Sequence, residues 1–359
     1  MGLLFVGDWL PRMGPDYRGL LGGMAGVGNL ECAITNQSAS TDKAYNVVRD
    51  LSILSVVREA GFVALSLANN HSADAGSRVM SEMAERLHSE LGVIPYGLRR
   101  WPLAELTADG ARCAVVGCME RSYNRSRLLF PEEAMEAEIR KLRSAYDSVV
   151  VTPHWGMEGE YTDYPSPRQR RLARRWIEAG ADGIFGHHPH TVQAREVLDG
   201  RPVYYSLGNF DFDHEEGREY PLTRFGLSVA WQPASPERSK ERYLWHGDGR
   251  PRWMSDGEVG PLRQHLDRIS ARIIDPRHRW SPWAWARSVG PVYMSKSRRS
   301  WVKRLARRPR AATVAKWVAW NCMPTTLLLR VGSWLPERGF EPPSDARDSC
   351  AVPSDPREP

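Results

Sequence analysis

Short apolar runs that read as strands alternate with helically spaced segments through the first two-thirds of this 359-residue chain. That alternation confines the chain to an α/β class. Strand candidates are Leu3–Val6, Phe62–Leu67, Val93–Tyr96, Arg112–Val116, Ser148–Val151, Ala181–Phe185 and Phe225–Trp231. Helical spacing spans Val47–Ala60, closed by Gly61, as well as Asp74–Leu91 and Pro131–Tyr146. Ser166-Pro167-Arg168-Gln169 opens a further helix as a capping box with Pro at the first helical position. An Asp199-Gly200 turn predicts a hairpin over 197–205. Several strand candidates run into side chains that bind cations. These are Asp8, Asn70, His154 and the cluster Gly186-His187-His188-Pro189-His190. Sites in open α/β sheets lie beyond the carboxyl ends of the strands, so these residues are expected to converge.

Neutral imidazole is the commonest protein ligand for a transition metal, and three rings within four residues are hard to explain as packing. With Asp8, Glu31, Asn70, His71, His154, His188 and His190, the chain offers carboxylates, an amide oxygen and imidazoles. That set suits one or two divalent ions such as Zn, Mn or Fe. His71 is the candidate for proton donation or charge stabilisation. Glu158 is the candidate to orient a ligand histidine, and His187 and Asn209 join it as supporting or substrate-side residues. Singly, each has an ordinary structural reading. Asp8, Asn70, His71 and Asn209 suit turns or backbone pairing, Glu31 a solvated surface, and His154 packing beside Trp155.

The Gly-rich stretch from Gly14 to Gly28 is no phosphate loop, since no G-K-[ST] follows it. Five scattered cysteines with no C-x-x-C pair point away from a disulfide framework. No signal peptide or membrane-span length of apolar sequence is evident, so a cytoplasmic protein is expected.

Six motifs occur in order: Gly7-Asp8, Asn29-Leu30-Glu31, Asn69-Asn70-His71, His154-Trp155-Gly156-x-Glu158, Gly186-His187-His188-Pro189-His190 and Tyr205-Ser206-Leu207-Gly208-Asn209-Phe210. Together they resemble the CapA-type capsule-synthesis family, also called poly-gamma-glutamate synthesis proteins, which is similar to calcineurin-like metallophosphoesterases. The resemblance covers about residues 1–235. It implies a four-layer αββα sandwich, two sheets flanked by helices, with a hydrolase-like site of the phosphoesterase kind. It also implies roles. Asp8 and His190 would bind a first metal, Glu31 would bridge, and Asn70, His154 and His188 would hold a second. The Asp-x-His of phosphoesterases is Asp8-Trp9-Leu10 in this chain, and Glu31 stands where they carry Asp. The implied substrate is a phosphoester or an anionic surface polymer. The alternative is a non-catalytic accessory protein that binds such a polymer and recruits it to a membrane.

Residues 236–275 read as a connecting segment. Beyond them, 276–336 hold thirteen Lys/Arg, no Asp/Glu and seven tryptophans. This basic helical appendage, placed at 276–340, suits an anionic membrane surface at the inner face. Packing on the chain's own first domain is the other reading, and no recognised nucleic-acid motif accompanies the segment. The Pro- and Ser-rich end, 341–359, is expected to be disordered.

Overall fold

The computed structural model describes residues 2–275, apart from 42, 44, 121–125, 213–219 and 248, and leaves the side chain of Glu158 outside the described set. The appendage and tail expected over 276–359 lie outside the described residues.

The chain begins with β1 (Leu3–Trp9), α1 (Tyr17–Leu21), β2 (Ala25–Leu30), β3 (Ala33–Ile34) and β4 (Val48–Arg49). Then come α2 (Leu54–Ala60), β5 (Phe62–Ser66), α3 (Ser77–Ser89), β6 (Ile94–Tyr96), β7 (Leu103–Ala108) and β8 (Ala111–Met119). The middle holds α4 (Met135–Arg143), β9 (Ser148–His154), α5 (Pro167–Glu178), β10 (Gly183–Phe185), β11 (Arg195–Leu198), β12 (Arg201–Tyr204) and β13 (Asn209–Asp211). Last are β14 (Phe225–Trp231), β15 (Lys240–Trp245), β16 (Arg252–Trp253) and α6 (Asp256–Ile274).

Two sheets result. The larger runs β16-β15-β14-β1-β2-β5-β6, with β13 beside the end of β1; the smaller runs β11-β12-β10-β9-β8-β7. β1, β2, β5 and β6 are parallel, as are β8, β9, β10 and β12. Parallel strands covered on both faces need continuous apolar sequence, and β9 is buried along its whole length. The sheets pack face to face through rings: Phe5 of β1 meets Phe185 of β10 at 4.6 Å, and Phe185 meets Trp231 of β14 at 5.5 Å. Helices α1, α2 and α3 bury Leu21, Val57, Met80, Met83 and Leu87 with Leu4 and Val6 on the outer side of the larger sheet. On the smaller sheet, α4 and α5 contribute Ile139, Leu142 and Trp176, and Trp176 stacks on Trp155 at 5.2 Å. This is the helix–sheet–sheet–helix layering that the sequence resemblance implies.

Three departures have local causes. The helix expected over Val47–Ala60 starts only at Leu54. Val48–Arg49 pairs instead with Ala33–Ile34, and Asp50 accepts from Ser52 N–H at 2.9 Å to open a short 3-10 turn ahead of α2. The helix expected from Asp74 starts at Ser77, after Gly76 at φ +100°. Residues 236–275, read as a connecting segment, form β15, β16 and α6. β15 extends the larger sheet along β14, and α6 buries Val259, Leu262, Leu266, Ile269 and Ile273. The capping box at Ser166 and the Asp199-Gly200 hairpin form as read, with both turn residues at positive φ.

Candidate metal centre

β1 sits between β2 and β14, where connectivity turns from one side of the sheet to the other. Asp8 occupies the carboxyl end of β1, at a register shift against both neighbours, β2 and β13. The preceding Gly7 is required there: a Cβ on it would lie 2.1 Å from Gly208 O. Gly186 plays the same part before the histidine cluster, where a Cβ would meet Tyr205 O at 2.1 Å and Trp155 Nε1 at 2.5 Å. Both motif glycines let strand ends from different parts of the chain close on one crevice.

The residues expected to bind cations meet in that crevice, and all are buried. Asp8 Oδ1 accepts from Asn29 Nδ2 at 2.9 Å and lies 3.1 Å from His187 Nδ1. Its Oδ2 accepts from the backbone N–H of His188 at 3.0 Å. His187 thus lies against Asp8, with its Nδ1 on Oδ1. Asn29 also donates to Glu31 Oε2 at 3.2 Å, so one amide holds both carboxylates. Asn70 Oδ1 lies 2.7 Å from His154 Nε2. Asn209 Oδ1 lies 2.9 Å from His190 Nδ1, which leaves Nε2 of that ring toward Glu31. His71 lies close enough for its charge to bear on His188 and His190. Its Nδ1 is 2.7 Å from Asp74 Oδ2. The role expected of Glu158 rests on a side chain outside the described residues.

Two groups of three meet the geometry of a cation site: Glu31 with His188 and His190, and Asp8 with Glu31 and His154, each with donor atoms within 4.8 Å of one another. Glu31 Oε1 is 3.6 Å from His154 Nε2 and 3.7 Å from His190 Nε2. These spans are too long for hydrogen bonds. They match the roughly 3–4 Å edge between two donors that each stand about 2.1 Å from a shared ion. Consistent with that, Glu31 Oε1 and both ring nitrogens of His188 are buried with no hydrogen-bond partner. Buried polar atoms are ordinarily paired, so such orphans ask for missing partners, and a divalent cation would satisfy Glu31 Oε1 and one nitrogen of the His188 ring. The donor set fits such an ion.

Electrostatics agree. Burial, and then the neighbouring charge of His188, push His154 far below the ordinary imidazole value. Burial does the same for His188 and, less strongly, for His190. Neutral rings are the ligating form. The two carboxylates part company. Burial raises Glu31, and the adjacent Asp8 raises it further. Burial would raise Asp8 too, but the His187 hydrogen bond and the charges of His187, His190 and His154 hold it well below the usual carboxylate range. Two carboxylates sharing one dry site cannot both ionise cheaply, and a cation removes that conflict.

Comparison with known proteins matches residues 24–214 to the model of the bacterial capsule synthesis protein PGA_cap. The chain belongs to the PGA_cap family. Its six motifs fall mostly inside that span, and only Gly7-Asp8 precedes it. Among relatives of this PGA_cap chain is the PGA biosynthesis protein CapA of Bacillus subtilis (strain 168), 32% identical over 202 residues, covering 52% of this chain and 53% of that protein. The capsule biosynthesis protein CapA of Bacillus anthracis is 32% identical over 188 residues, covering 48% and 45% respectively. The chain thus spans about half the length of the curated relatives it matches. Among solved structures, a novel phosphatase from Mycoplasma pneumoniae is similar at 11% identity and TM-score 0.46, covering 68% of this chain and 93% of that one.

Two residues of the crevice carry no mark in the sequence as site residues. Asn29 stands inside a quoted motif, but nothing in its spacing marks it as the shared donor to Asp8 and Glu31. Asp74 reads as a helix start, yet its side chain turns back to His71, takes the Val47 N–H at 2.7 Å and pairs with Lys43. The His-x-x-Asp spacing is the available signal.

Proposed function

We propose that this PGA_cap chain is a cation-dependent hydrolase of bacterial capsule or poly-glutamate synthesis, acting on a phosphoester or on the anionic polymer itself. The observation that carries the reading is the set of orphaned, buried donors, Glu31 Oε1 and the His188 ring, among equally buried neutral imidazoles. Asp8, Glu31, Asn70, His154, His188 and His190 would hold one or two divalent ions, Mn, Zn or Fe by donor chemistry. When bound, such an ion supplies Lewis-acid polarisation and a water acidic enough to attack at neutral pH.

The remaining steps belong to the chain. His187, Asn29 and Asn209 fix the orientations of Asp8, Glu31 and His190. Asp74 accepts from Val47 N–H and from Lys43, and in the imidazolium form of His71 it would accept the Nδ1–H. The Nε2–H of that imidazolium is then the proton that would pass to a leaving oxygen, and the ring returns to neutral with its hydrogen on Nδ1. The buried walls exclude bulk water and strengthen each of these interactions.

A second reading has its own observation. Trp9 and Leu10 fill the apolar layer outside the larger sheet, so the second ligand of an Asp-x-His pair has no counterpart beside Asp8. A non-catalytic accessory protein that binds an anionic polymer in this groove fits that. Turnover of a panel of phosphoesters and gamma-glutamyl peptides with Mn2+ and Zn2+, alongside elemental analysis of the purified protein, tests both. Hydrolysis that disappears in His188→Ala supports the hydrolase; polymer binding without turnover supports the accessory protein. No bound metal, together with unchanged behaviour of His188→Ala, removes the first reading.

A further inference from the structure

We propose that Glu160 is an additional carboxylate donor of this cation centre, on the side of His188. The inference rests on reading the crevice as a cation site and adds a ligand that none of the six sequence motifs marks. Glu160 Oε2 lies 3.7 Å from His188 Nε2. That span is no hydrogen bond, and it equals the Glu31–His190 separation of 3.7 Å. It is again the edge length of two donors around one ion. His188 itself is 1% exposed, and neither of its ring nitrogens has a hydrogen-bond partner. A carboxylate and an unpaired imidazole held face to face at this distance leave room for a cation between them.

The backbone holds Glu160 there at a cost. Tyr161, next in sequence, has φ +64°, and His188 and His190 have φ +98° and +58°. Left-handed conformations in three non-glycine residues gathered at one site store strain, which persists only where the surroundings enforce it. The enforcement is visible. Tyr161 N–H donates to the carbonyl of Pro189, between the two histidines, at 2.8 Å. The carbonyl of Thr162 accepts from Thr191 Oγ1 at 2.5 Å and from Gln193 Nε2 at 3.1 Å. The Tyr161 ring stacks on His190 at 5.9 Å and on Tyr220 at 4.4 Å. Residues 160–164 and 188–193 are thus bolted into one unit, and Glu160 has a fixed bearing on His188. Strained backbone beside orphaned ligands is the pattern of a site shaped for something it must grip.

The test is calorimetric titration of the full chain with Mn2+ alone, and separately with Zn2+. Glu160→Gln keeps the shape and removes the charge; affinity should fall tenfold or more. Glu160→Asp keeps the charge on a shorter arm and should fall between the two. Thermal unfolding in chelator should be unaltered in both variants. A Glu160→Gln protein that binds like wild type, while His188→Ala has lost binding, overturns the role of Glu160 and leaves the cation centre standing. Wild type that binds neither ion overturns the centre itself, and Glu160 with it. If the Gln variant does not fold, an Asp variant with wild-type affinity overturns the assignment.

Discussion

At the scale of single residues, the proposed hydrolase would divide its labour between groups that hold and one group, His71, that moves a proton. Asp74, buried and within 2.7 Å of His71 Nδ1, would position it. Removing the ring should cut kcat by about 10²–10⁴, the usual worth of a positioned acid, and leave Mn2+ affinity within a factor of about three. Asp74→Asn keeps size but offers an amide to Nδ1; it should cost part of that factor in kcat with KM little changed. Steady-state kinetics beside metal titration checks both. Which residues of this set are legible in the sequence has a physical reason. Asp8, Asn70, His154, His188 and His190 follow strand candidates, where sequence order alone predicts convergence; Glu31 follows β2, a Gly-rich strand that the sequence does not mark, and only the family resemblance places it in the site. Asp74 and Glu160 have no such mark. Asp74 looks like a helix start, and the turn closed by its N–H on the carbonyl of His71 at 3.1 Å brings its side chain back beside that ring. The sequence points to Glu158 and passes over Glu160, because the direction in which the chain leaves the 3-10 turn at Met157–Gly159 has no mark in the residue pattern.

Among elements, most strands and helices with strong periodicity form where the sequence predicts them, the first turns of the Val47–Ala60 and Asp74–Leu91 segments excepted, and the weak ones do not announce themselves. β7 is half-buried against β8, with Glu105 exposed, so its pattern is diluted. In α6, Gly257, Gly260 and Pro261 mask an apolar stripe that nonetheless packs. Its start is secured by charge. The N–H and hydroxyl of Ser255 both donate to Glu258 Oε2 at 2.8 Å, and Arg252 Nη1 reaches the same oxygen at 3.0 Å. These contacts hold the Glu258 carboxyl down at about 2, against an ordinary 4.5. A depressed acid stabilises the fold above its unfolded value and loses that contribution as pH falls toward the folded one. Wild type should therefore lose more stability than Glu258→Gln between about pH 4.5 and 2, as read by urea unfolding at stepped pH. Parallel losses in the two proteins would mean the cap carries no such charge.

Across the whole molecule, a sandwich of two sheets is joined by rings at its centre and by the crevice at one end. Asp8 and Glu31 come from the larger sheet, His154 and the histidine cluster from the smaller. Among the described residues no helix is long and apolar enough to cross a membrane. A ligand that binds only the folded form stabilises it by RT ln(1 + [L]/Kd), about 2.7 kcal/mol at a hundredfold excess over Kd. The melting temperature should rise with Mn2+ and fall back with chelator, and the rise should be absent in His188→Ala. An ion seated here would be a rivet driven through both sheets. With such a rivet, a cell short of that metal would hold less of the folded protein, so supply of one nutrient would govern how long each copy survives.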